Sequence, residues 1–518
     1  LHSEGLRFRR RGTAFSARSP EEVQEVRQQR EAEARVAGEL ALLKDVLAGK
    51  GSIDDELAER LLRWLRGGAD KLLERAAGES PDVKRQLCFR FVDEGRLPKT
   101  MDPELLAANL KAELPEEAVE HARAVAVTRA SEGESAEITR AAFAIDDPET
   151  QEVDDALSAQ RDGELIRVDV DIADVAALVA PGDPVDQEAR RRATTVYLPT
   201  GIFYMLPDPI GCDQGSLLAE VPRGALRTSL WIDPASGAIA RREVNRVSIR
   251  LERRLDYDRA DALLATEGEA AAEAPEVAAE LQLLQEAAEA RRLHRKERGA
   301  LMLQRPEWKI RVDSEGNVTA KPLGSASPSR SIVAEMMIAT NESMASLAVE
   351  EGLPIIFRAQ PAPVEALPEI DPTDPGALFK LRGLIKPAAL SLGASPHWGL
   401  GLPAYTQITS PLRRYGDLVQ QRQLCAWLAG DKPPYEPKEL LEVLATVERT
   451  EQENKRLEFA LTQRWALEHA AAGERKGRPA RLTARVKTGY KAQLLDSGAE
   501  GLLQHRGALT VGQECKVD

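Results

Sequence analysis

The sequence lacks the features of several protein classes. No apolar stretch in its 518 residues approaches the length of a membrane span, and no apolar segment follows the polar, basic residues 1–11, so we expect neither a membrane protein nor a signal peptide. The four cysteines form no Cys-x-x-Cys pair and the six histidines are dispersed, which gives a zinc site little support and fits a reducing, cytoplasmic setting. The formal net charge of −14 excludes a surface that is basic overall and binds nucleic acid by that charge, although a local basic groove could still attract phosphates.

Carboxylates, in contrast, are concentrated in one segment. Residues 146–155 read Asp-Asp-Pro-Glu-Thr-Gln-Glu-Val-Asp-Asp and follow an apolar run. Carboxylates held this close repel one another, so folding them together normally requires a cation. Oxygen ligands suit hard ions such as Mg²⁺ and Mn²⁺. A calcium loop of the EF-hand type is excluded because the segment contains no glycine, whereas a solvated acidic surface loop remains the simple alternative.

A second segment combines positive charge with a predicted helix start. Residues 409–418 read Thr-Ser-Pro-Leu-Arg-Arg-Tyr-Gly-Asp-Leu. Ser410 can cap a helix with Pro411 in its first position, which places Arg413 in the first turn. Free backbone N–H groups and the guanidinium would then converge on a phosphate, although a helix start with two surface arginines has the same pattern. Together the two segments supply the parts that phosphodiester hydrolysis needs, namely metal-binding carboxylates and an arginine for the developing charge.

The pattern of the whole chain predicts an α+β protein with three regions. Residues 1–135 are predicted to be helical, as a helix-turn-helix-like RNA-binding domain or a plain helical docking domain. Residues 136–472 combine strand-like and helical segments. After a linker, residues 478–518 alternate apolar and polar positions between glycine turns, which predicts a small β-barrel.

The two charged segments resemble signature motifs of the RNase II (RNB) family of 3′→5′ exoribonucleases. The resemblance spans about residues 140–470 with the same order and spacing of motifs. Further matching segments lie between the two: Ile172–Asp174, Thr195–Pro199, Met205–Pro207, Ile332–Asn341 and Gly399–Tyr405. The resemblance implies that residues 136–472 form an RNB catalytic domain, a mixed sheet surrounded by helices. Residues 478–518 resemble the S1-type OB-fold domain that usually accompanies it.

The family pattern implies a metal-binding role for the carboxylates of the acidic segment. At the matching positions, Mg²⁺, with Mn²⁺ as a substitute, would be held by Asp146, Glu152, Asp154 and Asp155. Asp154 would be the residue most directly required for cleavage. Two features depart from the family. Glu152 stands where the family usually has Asp. Leu303 stands where RNase II has an aromatic residue that clamps stacked bases, and the loss of that ring removes about 1–3 kcal/mol of stacking free energy per base.

The same resemblance implies substrate contacts at five further positions. Arg413 would grip the scissile phosphate and stabilise its transition state, with Arg414 beside it as a substrate-binding residue. Tyr197 would stack against the 3′-terminal base, although it could also be a core aromatic. Glu335 and Glu458 would contact the terminal nucleotides. The alternatives are a buried acid with a structural partner for Glu335 and a solvated helix face for Glu458.

The resemblance therefore implies a cytoplasmic, monomeric, Mg²⁺-dependent hydrolase. It would degrade single-stranded RNA from the 3′ end and release nucleoside 5′-monophosphates. The N-terminal region lacks the small β-barrels of relatives such as RNase II and RNase R, so RNA would enter differently. Two alternatives remain. The departures at Glu152 and Leu303 would suit a catalytically inactive RNA-binding regulator, and a DNA-associated regulator would require residues 1–135 to bind duplex DNA.

Overall fold

The computed structural model describes most of the chain, which forms two compact units. The described residues are 6–11, 14–78, 80, 82–108, 110–132, 138–265, 273–302, 307–323, 327–368, 377–381, 384–473, 476–505 and 507–518. The first unit contains residues 1–110 with 313–317, and the second contains residues 111–312 with 318–518.

The first unit is mainly helical. A hairpin of β1 (Phe8–Arg11) and β2 (Ala14–Ala17) precedes α1 (Pro20–Leu47), α2 (Asp55–Leu65), α3 (Lys71–Ala77), α4 (Asp82–Asp93) and α5 (Pro103–Ala107). Helix α1 begins with a capping box, because Ser19 Oγ accepts the N–H of Glu22 while the Glu22 carboxylate accepts the N–H of Ser19. The helices bury a core that includes Leu61, Trp64 and Phe91. The hairpin is a difference from the predicted all-helical region.

A closed barrel of mixed strands forms the centre of the second unit. Around the barrel the strands follow the order β3 (Ile138–Asp146), β4 (Asp155–Asp162), β5 (Leu165–Ala173), β8 (Pro222–Ile232) and β9 (Ile239–Asp256). Strands β3 and β9 are parallel, and the other neighbours are antiparallel. Between β5 and β8 lies a small hairpin of β6 (Val196–Leu198) and β7 (Gly201–Phe203). The predicted mixed sheet is confirmed, whereas its closure into a barrel was not predicted.

Helices surround this barrel. They are α6 (Glu116–Glu132), α7 (Pro184–Arg192), α8 (Tyr257–Leu264), α9 (Pro275–Glu297), α10 (Pro328–Glu351), α11 (Ala377–Leu381), α12 (Tyr415–Ala429) and α13 (Pro437–Ala472), with short helical turns at Val175–Ala177, Pro209–Gln214 and Trp398–Leu400. Barrel residues such as Phe143 and Leu157 pack with Leu281 of α9 and Met336 of α10. Helix α6 packs against α7, so the first unit ends at Leu110 rather than at the predicted residue 135.

The C-terminal segment forms an open sheet. The antiparallel order is β16 (Glu500–Leu503), β15 (Gly489–Leu494), β14 (Arg478–Val486) and β17 (Glu514–Val517). Two small antiparallel sheets precede it in the chain: the hairpin of β10 (Glu307–Val312) with β11 (Val318–Leu323), and the pair of β12 (Phe357–Ala359) with β13 (Ala389–Ser391). The predicted closed barrel is wrong for the described residues, because about forty residues supply four strands where an OB-fold has five. The segment belongs to the second unit, since Ala499 packs with Ile310 and Trp465.

No helix in the described ranges is both long enough and apolar enough to cross a membrane.

Candidate active site

The acidic segment is the connection between two neighbouring barrel strands. Asp146 ends β3 and Asp155 begins β4, so both carboxylates lie at the same end of the barrel. Near its end the connection is held by Ser216, whose Oγ accepts the N–H of Val153 at 2.9 Å. The barrel thus places the first and last aspartates of the motif beside each other, although they are nine positions apart in sequence.

These carboxylates carry more negative charge than their surroundings compensate. Burial raises the pKa of Asp146 to about 6 and that of Asp154, which is 4% exposed, also to about 6. Burial, together with the charges of Asp146 and Asp154, raises the pKa of Asp155 well above its ordinary value. Burial and the charge of Asp154 have the same effect on the pKa of Glu152. A cluster of acids in this state favours a cation.

The donor set fits a hard divalent cation in its chemistry, because it consists of carboxylate oxygens with uncompensated charge. In the side-chain positions of the structure, no group of three or more His, Cys, Asp or Glu residues in the described ranges is arranged to hold a metal ion. Asp154 explains part of this, because both of its oxygens are engaged by protein donors. Metal binding would therefore require these carboxylates to turn toward a common point.

Asp154 joins the two motifs that the sequence singled out. Its Oδ1 accepts the N–H of Leu412 at 2.9 Å, and its Oδ2 accepts Nε–H of Arg413 at 3.1 Å. Nη2 of Arg413 also donates to Ser410 Oγ at 2.9 Å. The Arg413 side chain is nevertheless 41% exposed, so the guanidinium is oriented by two contacts and still accessible to an anion.

The predicted helix start at Pro411 is wrong. Residues 411–413 form a turn, and α12 begins at Tyr415. The physical reason is Asp417, whose Oδ2 accepts the N–H of Ser410 at 3.0 Å and a 2.6 Å hydrogen bond from Nη2 of Arg414. Ser410 is thereby tied back to the first turn of the helix instead of capping it. Arg413 reaches the carboxylates from the turn by its side chain, not from a helix N-terminus.

Tyr197 lies on β6 and is 43% exposed as a residue, so the core-aromatic alternative does not describe it. Its N–H donates to Oε1 of Glu458 on α13 at 3.0 Å. Burial raises the pKa of Glu458, which is therefore not a residue of a fully solvated helix face. The contact makes Glu458 a positioning partner of the Tyr197 backbone, and its predicted contact with nucleotides stays a prediction.

Two other predicted substrate contacts are engaged in ion pairs. Glu335 is 5% exposed, and Arg295 donates to both of its oxygens, with Nε 3.0 Å from Oε2. The structure thus supplies the structural partner that the alternative interpretation requires. Arg414 is held by Asp417, 2.6 Å away. A nucleotide would have to compete with both pairs. Leu303 lies outside the described residues.

Sequence reasoning missed Thr195. Its Oγ1 donates to Oε2 of Glu152 at 3.0 Å and accepts the N–H of Met205 at 3.0 Å. The only available signal was the position of Thr195 at the start of a matching segment, to which no role was assigned. The cations that hold Asp147 were missed as well, because Arg330, 2.6 Å from its Oδ1, is 183 positions away.

Comparisons with known proteins agree on one family. The sequence model of the RNB domain matches residues 138–368 and 364–430. An uncharacterized ribonuclease of Synechocystis sp. is 34% identical over 331 residues, which cover 63% of this chain and 48% of that protein. Ribonuclease II, chloroplastic/mitochondrial, of Arabidopsis thaliana is 32% identical over 396 residues, or 73% of this chain and 48% of that protein. The chain therefore spans about half the length of these curated relatives.

Solved structures show the same fold at low sequence identity. Mycoplasma genitalium RNase R in complex with ribose methylated single-stranded RNA matches with a TM-score of 0.68 and 19% identity, covering 78% of this chain and 69% of that one. The Dss1 exoribonuclease of Candida glabrata, an active-site mutant, matches with a TM-score of 0.69 and 18% identity over 93% of this chain and 65% of that one. Yeast Ssd1, described as a pseudonuclease, matches with a TM-score of 0.58 and 16% identity over 82% and 55%.

Proposed function

The chain belongs to the RNB family, and we propose that it is a 3′→5′ exoribonuclease that hydrolyses single-stranded RNA to nucleoside 5′-monophosphates. The observation that carries the proposal is the Asp154 carboxylate, which joins the acidic connection of the barrel to the guanidinium of Arg413. Two further facts support it. A curated relative is named ribonuclease II, and a structure with the same fold contains single-stranded RNA.

The chain's own residues supply orientation and charge. Arg413 is oriented by Asp154 and Ser410 while its side chain remains 41% exposed, so it can bind a phosphate oxygen and stabilise the charge that develops on it. The ring of Tyr197, fixed through its backbone by Glu458, offers a surface on which the terminal base can stack. Both functions require a single strand, whose bases and phosphates are accessible together.

RNB nucleases generally need divalent metal ions, and we infer that Mg²⁺, with Mn²⁺ as a substitute, serves this chain. The residues that would hold it are Asp146, Asp154 and Asp155, with Glu152 as the further carboxylate of the set. A bound ion would supply an activated water and withdraw charge from the reacting phosphate.

The test is a time course on 5′-labelled single-stranded RNA with Mg²⁺, beside the Asp154→Asn variant and a DNA oligonucleotide of the same sequence. The expected result is progressive shortening to a small labelled product, which is lost in the variant and absent with DNA. An Asp93→Asn variant, with the same chemical change at an exposed position at the end of α4 in the first unit, should behave as the wild type. Release of nucleoside 5′-monophosphates is checked by chromatography of the products.

The alternative function is an inactive RNA-binding regulator, for which the fold likeness to the pseudonuclease Ssd1 is the specific observation. The same experiment separates the two functions. RNA that stays intact with either metal, while a gel-shift assay shows tight binding of single-stranded RNA, would overturn the nuclease proposal and favour the regulator.

A further inference from the structure

The hairpin of β10 and β11 has two chemically different faces. Along β10, Trp308 and Ile310 alternate with Lys309 and Arg311, so the apolar and the cationic side chains point to opposite sides. Each face contacts a different part of the second unit. The apolar face meets α13 and the C-terminal sheet, and the cationic face meets the acidic connection between β3 and β4.

The apolar face is closely packed. Ile310 lies in a cluster with Trp465 of α13 and Ala499 of the C-terminal segment. The ring of Trp308 lies so near Gly498 that a Cβ on this glycine would be 2.8 Å from the ring atom Cε3. Gly498 also has φ +69°, a conformation that L side chains rarely adopt. Helix α13 and the C-terminal segment together therefore hold the hairpin in place.

The cationic face holds the two carboxylates that follow Asp146. Lys309 Nζ lies 2.7 Å from Oε2 of Glu149 and 3.3 Å from Oδ2 of Asp147. From α10, Arg330 Nη2 adds a contact of 2.6 Å to Oδ1 of Asp147. The residue directly after the first predicted metal ligand is thus held by two cations from two separate elements.

Packing does not replace these ion pairs. A cavity of about 710 Å³ lies beside these ion pairs, and residues of both the acidic connection and the hairpin line it, among them Asp147, Glu149, Lys309, Lys321 and Arg330. At Asp147 and Glu149 the connection borders open space, so the position of these two residues depends on charged contacts across the edge of this cavity, to which Arg311 adds an ion pair of 3.7 Å with Glu149. The rest of the connection is held separately, because Arg254 donates to the Thr150 carbonyl and Ser216 accepts the N–H of Val153. Removing one of the charged contacts at the cavity edge would let the backbone after Asp146 move into the free volume.

We propose that the β10–β11 hairpin is a positioning element for the metal site. Lys309, together with Arg330, fixes Asp147 and Glu149 directly after Asp146, and α13 with the C-terminal sheet fixes the hairpin. Lys309 is accordingly a positioning residue that acts through Asp147 and Glu149. The packing of the hairpin against the C-terminal sheet therefore contributes to metal affinity, although no residue of that sheet is a predicted metal ligand. The activity readout of this inference rests on the proposed function, whereas its binding readout does not.

The test compares Lys309→Met with Lys321→Met. Lys321 lies directly opposite Lys309 in the hairpin register and lines the same cavity, but it forms no ion pair within the described residues, so it is a matched control for the loss of one charge. Mg²⁺ is titrated against the melting temperature without RNA, and separately against the hydrolysis rate. For Lys309→Met we expect the midpoint of both titrations to rise about tenfold, with the rate at saturating Mg²⁺ within about twofold of wild type. Lys309→Arg should restore the midpoint, and Lys321→Met should leave it unchanged.

A second variant tests the packing that holds the hairpin in place. Trp308→Ala leaves the cations in place and removes the packing against Gly498, so it should shift the Mg²⁺ midpoint in the same direction, with folding verified by circular dichroism. Equal midpoints for Lys309→Met and Lys321→Met, or a wild-type melting temperature indifferent to Mg²⁺ and Mn²⁺, would overturn the inference. A Lys309-dependent Mg²⁺ shift in a protein that does not cleave RNA would uphold it and refute the proposed function instead.

Discussion

The Asp154→Asn variant separates the energetic cost of burying a carboxylate from the use of that carboxylate in the reaction. The folded pKa of Asp154 is about 6 against an ordinary value of 3.8, and burial is its largest cause. At about 1.4 kcal/mol per unit, ionised Asp154 lowers the free energy of unfolding by roughly 3 kcal/mol above pH 7. Asn removes this cost and still accepts the N–H of Leu412, but its amide would face Nε–H of Arg413, which costs about 1 kcal/mol.

The sign of the effect follows from the direction of the pKa shift. Because the folded pKa of Asp154 exceeds the unfolded value, the folded protein binds more protons between pH 4 and pH 6. Wild-type stability therefore falls as the pH rises through this window and becomes constant above it, whereas the Asn variant lacks this component. We expect the variant to match or fall slightly below the wild type at pH 4 and to exceed it by about 1–2 kcal/mol at pH 7.5.

The assay is denaturant unfolding in EDTA at both pH values, with Asp93→Asn as the control, followed by the RNA time course with Mg²⁺. The expected outcome is a variant that is more stable and inactive. Excess Mg²⁺ should narrow the difference at pH 7.5, because a cation stabilises only the ionised wild type. The reasoning would be refuted by a variant that is more than about 1 kcal/mol less stable than the wild type at pH 7.5 in EDTA, since the ion pair with Arg413 would then outweigh burial.

Substitutions at four further residues test the substrate side of the site. Arg413→Lys keeps the charge but not the planar fork, so kcat should fall about 10²- to 10³-fold with little change in KM; an unchanged kcat would remove Arg413 from the reaction. Tyr197→Ala should raise KM about 5- to 100-fold through lost stacking, and Tyr197→Phe should not, whereas equal KM values for the two would argue against stacking. Glu458→Ala should raise KM in the same direction, while Glu458→Gln keeps an acceptor for the Tyr197 N–H and stays near wild type. Glu335→Gln removes the charged partner of Arg295, so the free energy of unfolding measured with denaturant should fall by about 3–5 kcal/mol. An unchanged free energy of unfolding together with a raised KM would instead favour Glu335 as a substrate contact.

Local signals in the sequence predicted local structure well. Ser19 caps α1 through a reciprocal pair of hydrogen bonds with Glu22, and Pro437 is the first residue of α13, so both helices begin at residue types that favour a helix start. The closure of the barrel could not be predicted in this way, because it depends on parallel pairing between β3 and β9. Ile138 pairs with Ser248 and Asp146 with Asp256, about 110 positions away, and hydrophobic periodicity contains no information on such partners.

The same distinction applies to the candidate site. The acidic and arginine segments could be found from residue types, but the contact that joins them links Asp154 to Leu412 across 258 positions. Local reasoning failed where a competing polar partner was present. Serine is a residue type that commonly caps helices, yet the N–H of Ser410 donates to Asp417, seven positions later, and Ser410 does not cap the helix. Glu335 was identified by position in the family motif, and only the fold shows that Arg295 engages it.

Glu152 is one of the two departures that would suit an inactive protein, and the structure changes how this residue is interpreted. The longer side chain is accommodated, because Thr195 Oγ1 donates to it at 3.0 Å and the position of a Cβ on Gly211 lies 3.4 Å from its Oε1. A decayed site would be expected to fill or neutralise the space around a useless buried acid, since an uncompensated buried carboxylate is costly. Here the pKa of Glu152 is raised by burial and by Asp154, so the cost is retained. A chain that keeps four destabilising carboxylates together at one end of a barrel is better explained by a site that binds a cation than by the remnant of one.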